Sequence, residues 1–223
     1  MKAKGTSSEK RVQTIGFAYK KLVESIWSEA MYEIPGLTLP DTEKILNNQN
    51  PVESISDNKK NVVVNLKHAW STIFNSLDKN LNLEYITEIN GLVLADKYRK
   101  ANLIRQGSVR ITGTDYHPPY PITEEFINNR IDEINNTGDA ISAALNAFCF
   151  ICRDQWYDDG NKRTAQLICN KILIDNGIGI FMIPTDTYKR RKFIDKLIDY
   201  YDFDEIDRFK AYLKRYIVLT QEA

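Results

Sequence analysis

Apolar residues recur every three to four positions through most of this chain, in segments separated by turns rich in Gly, Pro, Asn and Asp. This spacing puts the apolar side chains on one face of an α-helix, and such faces are buried by packing helices against one another. The pattern predicts helices over residues 10–32, 41–46, 59–77, 83–99, 122–134, 140–157, 161–176, 186–201 and 204–219. We therefore expect a mainly α protein, built as a helical bundle.

Residues 101–121 have a different pattern. Val109 and Ile111 alternate with polar residues between Gly107 and Gly113, and the segment ends in prolines. Alternation with glycine at the bends is typical of a β-hairpin. The sequence predicts one small β-hairpin here and helices elsewhere.

Charge and composition narrow the class of protein. Lys and Arg number 30, as do Asp and Glu, so the formal net charge is zero and gives no general attraction for nucleic acid or a membrane surface. The basic run 189–192 is followed at once by acidic residues, which favours a solvated helix face over a nucleic-acid site. No apolar run reaches the length of about 18 residues that a membrane span needs.

Three cysteines, Cys149, Cys152 and Cys169, lie in apolar helical surroundings, and the polar, basic start of the sequence leads us to expect no secretory signal. An odd number of cysteines in such surroundings suits core residues in a reducing compartment better than a disulfide framework. We expect a cytoplasmic protein, with neither membrane nor nucleic acid as its partner.

The segment 155–166, QWYDDGNKRTAQ, is the part of the chain best suited to chemistry. A turn of Asp and Gly that leads directly into a helix leaves backbone N–H groups free and directs the positive end of the helix dipole toward a ligand. Arg163 and Lys162 add positive charge for phosphate oxygens, and Asp159 is suited to hold Mg²⁺. The same residues also suit an ordinary turn between two helices.

This segment resembles the Fic-domain signature, H-x-F-x-[DE]-G-N-[GK]-R-x-x-R, and the residues 159–163 match its centre. Three further segments resemble the family in order and spacing: 105–119 its flap, 33–46 its N-terminal E-G-N-T-L-T-L segment, and 167–184 the helix and exit after the signature. Together they cover roughly residues 28–200. The resemblance implies a Fic-fold helical bundle with one small β-hairpin, the flap. It also implies a helical extension over residues 1–58 and a Fic core over residues 59–223.

Fic proteins mostly transfer AMP from ATP to a hydroxyl group of a target protein, so the resemblance implies ATP and Mg²⁺ as cofactors and a protein partner. It assigns Asp159 to the metal, Arg163 to the phosphates, and position 155 to the general base. The implied nucleotide-binding residues are Gly160, Asn161, Lys162, Arg163 and Gln166. The flap that docks the target would contain Arg105, Ser108, Val109, Ile111 and Gly113.

Two departures from the signature put the activity in doubt. Gln155 stands where the family has its catalytic His, and Gln166 stands where it has the last Arg. A carboxamide hydrogen-bonds a hydroxyl group but does not accept its proton, so most of the factor of about 10² to 10⁴ that general-base catalysis supplies should be absent. His68, His117, Asp154 and Asp158 are poor candidates for a substitute base. We expect a weak or inactive adenylyltransferase.

The resemblance also implies an inhibitory residue. Many Fic proteins carry a helix whose Glu pairs with the last signature Arg, and Glu33 occupies the matching position. Because Gln166 replaces that Arg, we expect a looser contact between Glu33 and Gln166. Glu33 would otherwise be a solvated residue at the end of a helix.

Other functions remain open. Lys162-Arg163-Thr164, together with the absent second Arg, resembles Doc, which implies phosphotransfer, although Doc proteins also use the signature His. The chain is alternatively a non-catalytic binding module or one component of a toxin–antitoxin pair.

Overall fold

Ten α-helices and one two-stranded sheet make up the part of the chain that the computed structural model describes, residues 8–49, 55–77, 79–95 and 103–220. The helices are α1 (Ser8–Lys20), α2 (Leu22–Ala30), α3 (Leu39–Leu46), α4 (Asp57–Asn75), α5 (Leu83–Leu94), α6 (Glu124–Asn135), α7 (Ala140–Asp154), α8 (Asn161–Asp175), α9 (Thr187–Phe203) and α10 (Ile206–Leu213). The strands are β1 (Gly179–Phe181) and β2 (Ile217–Leu219). The mainly α fold with one small sheet is confirmed.

Side-chain caps fix where five of the helices begin. In each, an oxygen of the residue before the helix accepts a hydrogen bond from a backbone N–H of the first turn, which no carbonyl within the helix can satisfy. The capping residues are Thr38 of α3, Asn82 of α5, Thr123 of α6, Asp139 of α7 and Asp186 of α9. The helix predicted over residues 10–32 is divided into α1 and α2 at Lys21, whose ψ of 7° departs from helical geometry. The end predicted at residue 99 lies outside the described residues.

Helices α7 and α8 pack against each other at the centre of the fold, with α5, α6 and α10 on their outer sides. All three cysteines are free thiols buried in this core, as expected. Of the 15 residues of α8, 12 are buried, including polar ones such as Asn170 and Lys171. Buried polar side chains need hydrogen-bond partners, so contacts from neighbouring elements determine where the side chains of α8 point.

The sheet does not lie where the sequence placed it. β1 and β2 pair antiparallel, with Gly179 opposite Leu219. Only glycine fits at position 179, because a Cβ there would lie 2.0 Å from the carbonyl oxygen of Val218. The hairpin predicted over residues 101–121 is wrong, since residues 103–121 contain no strand.

The arms of residues 103–121 are joined by a side chain instead of cross-strand bonds. The guanidinium of Arg105 donates to the carbonyl oxygens of Gly107 and Pro119, at the two ends of the segment. We call residues 103–121 the extended segment.

Helices α1, α2 and α3 cover one side of the bundle. α1 and α2 contact α8, and α3 packs between α2 and α4. The division into 1–58 and 59–223 stays a prediction. Among the described helices, none is long and apolar enough to cross a membrane.

Candidate nucleotide site

The turn between α7 and α8 carries the residues that the signature assigns to chemistry. Two residues in the left-handed region make it possible: Gln155, with φ 50°, ends α7, and Gly160, with φ 78°, precedes α8. Asn161 closes the turn, because its side chain accepts from Tyr157 N at 3.0 Å and donates to Tyr157 O at 2.7 Å. No side chain caps the first turn of α8, so its free N–H groups and the helix dipole are suited to bind an anion.

The side chain of Gln155 is held at both ends. Its Nε2 donates to the carbonyl oxygen of Cys152 at 2.5 Å, and its Oε1 accepts from Asn161 Nδ2 at 3.1 Å. The amide therefore acts as a structural link between the end of α7 and the start of α8. It presents no basic atom to a hydroxyl group.

Asp159 lies beside the start of α8 with its carboxylate partly exposed. Its Oδ1 accepts from Gly160 N at 2.6 Å, and its backbone oxygen accepts from Asn90 Nδ2 at 3.0 Å. Gly160 is needed here, since a Cβ would come within 3.0 Å of the same Asn90 nitrogen. Mg²⁺ typically takes one or two protein carboxylates together with phosphate oxygens and water. The partly exposed carboxylate of Asp159 next to an anion site fits that ion.

Arg163 is almost fully buried, with 1% of its side chain exposed. Its Nη2 lies 3.1 Å from Glu33 Oε1 and 3.4 Å from Asp159 Oδ1. Its Nη1 is buried and has no hydrogen-bond acceptor among the described residues. A buried guanidinium nitrogen without an acceptor is costly, and an oxyanion supplies the missing acceptor.

Gln166 does not meet Glu33, so the expected contact between them is wrong. Gln166 is fully buried and its Nε2 donates to Ser28 Oγ on α2 at 3.0 Å. Glu33 lies just beyond the end of α2 and pairs with Arg163 instead. Residues 163 and 166 lie on the same face of α8. Arg163 is longer than Gln166 and positively charged, so it is the residue that pairs with the carboxylate of Glu33.

A second acid, Glu29, approaches Arg163 from α2. Glu29 is fully buried, and its Oε2 accepts from Trp70 Nε1 at 3.2 Å. Burial raises the pKa of Glu29 well above its usual range, and the charge of Arg163 only partly opposes that rise. Sequence reasoning gave Glu29 no role. The four-residue spacing of Glu29 and Glu33 could have indicated this role, because residues four apart at a helix end point the same way, here toward Arg163.

We predict that Glu29 makes folding stability depend on pH. A pKa raised in the folded state gives a contribution that is complete below the ordinary Glu value and is lost as pH rises through the raised value. Glu29→Gln should therefore gain stability relative to the native chain between pH 5 and pH 8. Urea unfolding at the two pH values measures this.

Glu24→Gln is the matched control, because Glu24 lies on the same helix but is half-exposed and pairs with Lys21. It should keep the pH dependence of the native chain. Equal pH dependence in Glu29→Gln and the native chain would contradict the prediction.

The extended segment passes close to Gln155. Arg105 is buried, its backbone N donates to Trp156 O at 3.0 Å, and its Nε donates to Gln155 O at 2.5 Å. The other predicted flap residues are more accessible: Ser108 is exposed and Val109 and Ile111 are half-buried. Arg105 thus binds the extended segment to the signature turn, while the middle of the extended segment is accessible to solvent.

None of the substitute bases comes into position. Asp154 is buried and paired with Arg130 at 3.1 Å, and burial raises its pKa. His68 lies exposed on α4, and His117 and Asp158 are exposed. None of these four side chains hydrogen-bonds to the side chain of Gln155, whose partners are Cys152 and Asn161. Lys162, in the first turn of α8, is half-buried.

Comparisons with known proteins agree with this geometry. The model of the Fic/DOC family matches residues 80–173, which include the whole signature turn. No curated protein sequence matches the chain.

Solved structures resemble the whole fold. A Fic-domain-containing signalling protein from Bacteroides thetaiotaomicron gives a TM-score of 0.74 at 18% identity, over 96% of this chain and 88% of that one. Fic-1 from C. elegans gives 0.66 at 20% identity, over 92% of this chain and 65% of that one, so this chain spans less than two thirds of it. A variant of IbpAFic2 in complex with adenylylated Cdc42 gives 0.53 at 17% identity, over 96% and 84%. Residues 80–173 thus match the Fic/DOC family, and the helical bundle around them has the fold of Fic-domain structures.

Proposed function

We propose that this chain is a Fic protein that binds ATP·Mg²⁺ at the start of α8 and transfers AMP weakly or not at all. The observation that carries the proposal is the environment of Arg163. A buried guanidinium at an uncapped helix start is bound by carboxylate oxygens of Glu33 and Asp159. These oxygens occupy the place that phosphate oxygens would take.

Each residue of the turn has a role in this proposal. The first N–H groups of α8, at Asn161 and Lys162, hold a phosphate group, and Arg163 binds its oxygens from within the core. Asp159 holds Mg²⁺, which when bound neutralises charge on the phosphates. Gln166, tied to Ser28, supports the position of α2 without touching the nucleotide.

AMP transfer needs a proton acceptor that this site lacks. The hydroxyl oxygen of the target forms a bond to the α-phosphorus, the bond from that phosphorus to the bridging oxygen breaks, and pyrophosphate leaves. The hydroxyl proton must be taken up as the bond forms. Gln155 does not take it, and its amide is already bound to Cys152 and Asn161. The same objection applies to Doc-like phosphotransfer.

A protein target is the partner that we propose for the extended segment. Among the described residues, no backbone–backbone hydrogen bond joins residues 106–118 to another residue. Apart from the carbonyl oxygens of Gln106 and Gly107 and the N–H of Tyr116, which bond to side chains, their N–H and C=O groups are available to an added strand. IbpAFic2 has been captured with adenylylated Cdc42, a protein target. The non-catalytic binding module is the second candidate, and the two hydrogen bonds of the Gln155 amide favour it.

Glu33 would compete with the nucleotide in this proposal. The carboxylate of Glu33 pairs with Nη2 of Arg163. Because the Glu33 side chain is 30% exposed, an incoming phosphate group is able to displace it from Arg163. A partly exposed ion pair contributes about 0.5–1 kcal/mol. Removing Glu33 should then raise ATP affinity about two- to fivefold.

Calorimetric titration with ATP·Mg²⁺ tests the proposal. Arg163→Lys keeps the buried charge but loses the guanidinium fork, so ATP affinity should fall about tenfold. Glu33→Ala should shift affinity in the opposite direction. Arg208→Lys, at an exposed arginine of α10, is the matched control and should change nothing. Unchanged affinity in Arg163→Lys would refute the site, and no ATP binding by the native chain would refute the function.

A further inference from the structure

Arg190 on α9 is a second arginine close to α2; it is half-buried, and its Nη2 is buried. Its Nη1 donates to Ser28 O at 3.3 Å and to Pro184 O at 3.2 Å, and its guanidinium lies 4.9 Å from the ring centre of Tyr32. Burial lowers the pKa of Arg190. These contacts hold the group against Ser28, near the end of α2, and against Tyr32, which directly precedes Glu33.

The hydrogen bond from Arg190 to Ser28 O satisfies a carbonyl group that is left without a partner at the end of α2. The N–H of Tyr32 bonds to Glu29 O, so Ser28 O loses the partner that a continuing helix would give it. Capping that carbonyl uses Nη1. The Nη2 of Arg190 is buried and has no acceptor among the described residues, which capping does not explain.

Arg190 and Gln166, the residue that replaces the last signature Arg, both donate hydrogen bonds to Ser28. Gln166 donates to Ser28 Oγ, while Arg190 donates to the carbonyl oxygen of the same residue. The guanidinium of Arg190 therefore lies near the side chain of Gln166, from a different helix. Position 166 is one turn beyond Arg163 on the same face of α8, about 4.5 Å further along the axis.

We infer that Arg190 binds the outer phosphate groups of the nucleotide, in place of the arginine that α8 lacks at position 166. Arg163 and Arg190 each have one buried nitrogen without an acceptor, and both contact the region where α2 ends, Arg163 through Glu33 and Arg190 through Ser28. A single polyphosphate chain gives acceptors to both. This inference rests on the proposed nucleotide site and adds a residue that discriminates ATP from AMP.

Titration of the full chain with ATP·Mg²⁺ and with AMP tests the inference. Arg190→Lys keeps a positive charge and a donor for Ser28 O but loses the second nitrogen, so ATP affinity should fall about tenfold. AMP has no outer phosphate groups, so its affinity should stay within about twofold of the native value. Arg191→Lys, at the exposed next residue of α9, is the matched control and should alter neither.

Arg190→Gln, with the melting temperature recorded without ligand, separates binding from folding. A folded Arg190→Gln chain should also lose ATP affinity and keep AMP affinity. If Arg163→Lys weakens ATP binding but both Arg190 variants bind ATP normally, Arg190 only caps α2 and the inference is wrong. An equal loss for ATP and AMP would also overturn it. If the native chain binds no nucleotide, the proposed function fails, and this inference fails with it.

Discussion

Gln155→His is expected to raise AMP transfer about 10²- to 10⁴-fold, the range that a positioned general base supplies. The backbone at this position accepts the change. Its φ of 50° lies in the left-handed region, where His is among the residues enriched over other non-glycine types. An imidazole can give its N–H to Cys152 O, as the amide does now, and keep a lone pair on its other nitrogen.

Incorporation of label from α-phosphate-labelled ATP into the proteins of a cell extract measures this gain. Gln155→Asn is the matched control, because Asn also suits the left-handed region but carries no base. It should remain as inactive as the native chain. Adding Glu33→Ala to Gln155→His should increase incorporation further, because Glu33 pairs with Arg163 and competes with the phosphate groups of ATP for it.

Two outcomes would count against the expected gain. If Gln155→His binds ATP but transfers no label, the missing base is not what prevents catalysis, and the binding-module function gains. If the native chain already transfers label as fast as Gln155→His, another group accepts the proton.

Arg105→Met is expected to lower the free energy of unfolding by about 3–5 kcal/mol, because it leaves several backbone carbonyls without their donor. The Arg105 guanidinium donates to four backbone carbonyls, those of Gly107, Pro119, Asp154 and Gln155. Each acceptor left unsatisfied costs about 1–3 kcal/mol, less where water reaches it. Met fills a similar volume, so the loss reports the hydrogen bonds and not a cavity.

Thermal unfolding followed by circular dichroism measures this effect, which should lower the melting temperature by on the order of 10 °C. Arg110→Met is the matched control, because Arg110 is exposed on the same extended segment. It should change stability by no more than about 0.5 kcal/mol. A loss below about 1 kcal/mol in Arg105→Met would mean that the extended segment is held by other contacts.

Local patterns predicted most of the fold. The caps Thr123 and Asp139 and the terminator Gly177 act within a few residues of themselves, so the sequence specifies the helix ends that they make. The turn before α8 was predictable for the same reason, since Gly160 and Asn161 shape it locally. Lys21, where one predicted helix becomes two, carries no such local signal.

Contacts between distant parts of the chain could not be predicted in this way. Glu33 meets Arg163, and Arg190 reaches Ser28, only after the helices have packed. β1 and β2 are only three residues each, too short for an alternation pattern to stand out. The hairpin prediction was wrong because the side chain of Arg105, and not cross-strand hydrogen bonds, joins the two ends of the extended segment.

The attachment of the extended segment to the signature turn runs through main-chain atoms. Arg105 binds the carbonyl oxygens of residues 154 and 155, which every amino acid possesses. The side chain at position 155 is therefore free to change during evolution without releasing the segment or the target that we propose it binds. Glutamine and histidine codons differ only in their third base, so under the proposed function a single mutation would supply the missing general base. On this proposal, the reaction could be lost and regained in evolution while the surface of the extended segment stays unchanged.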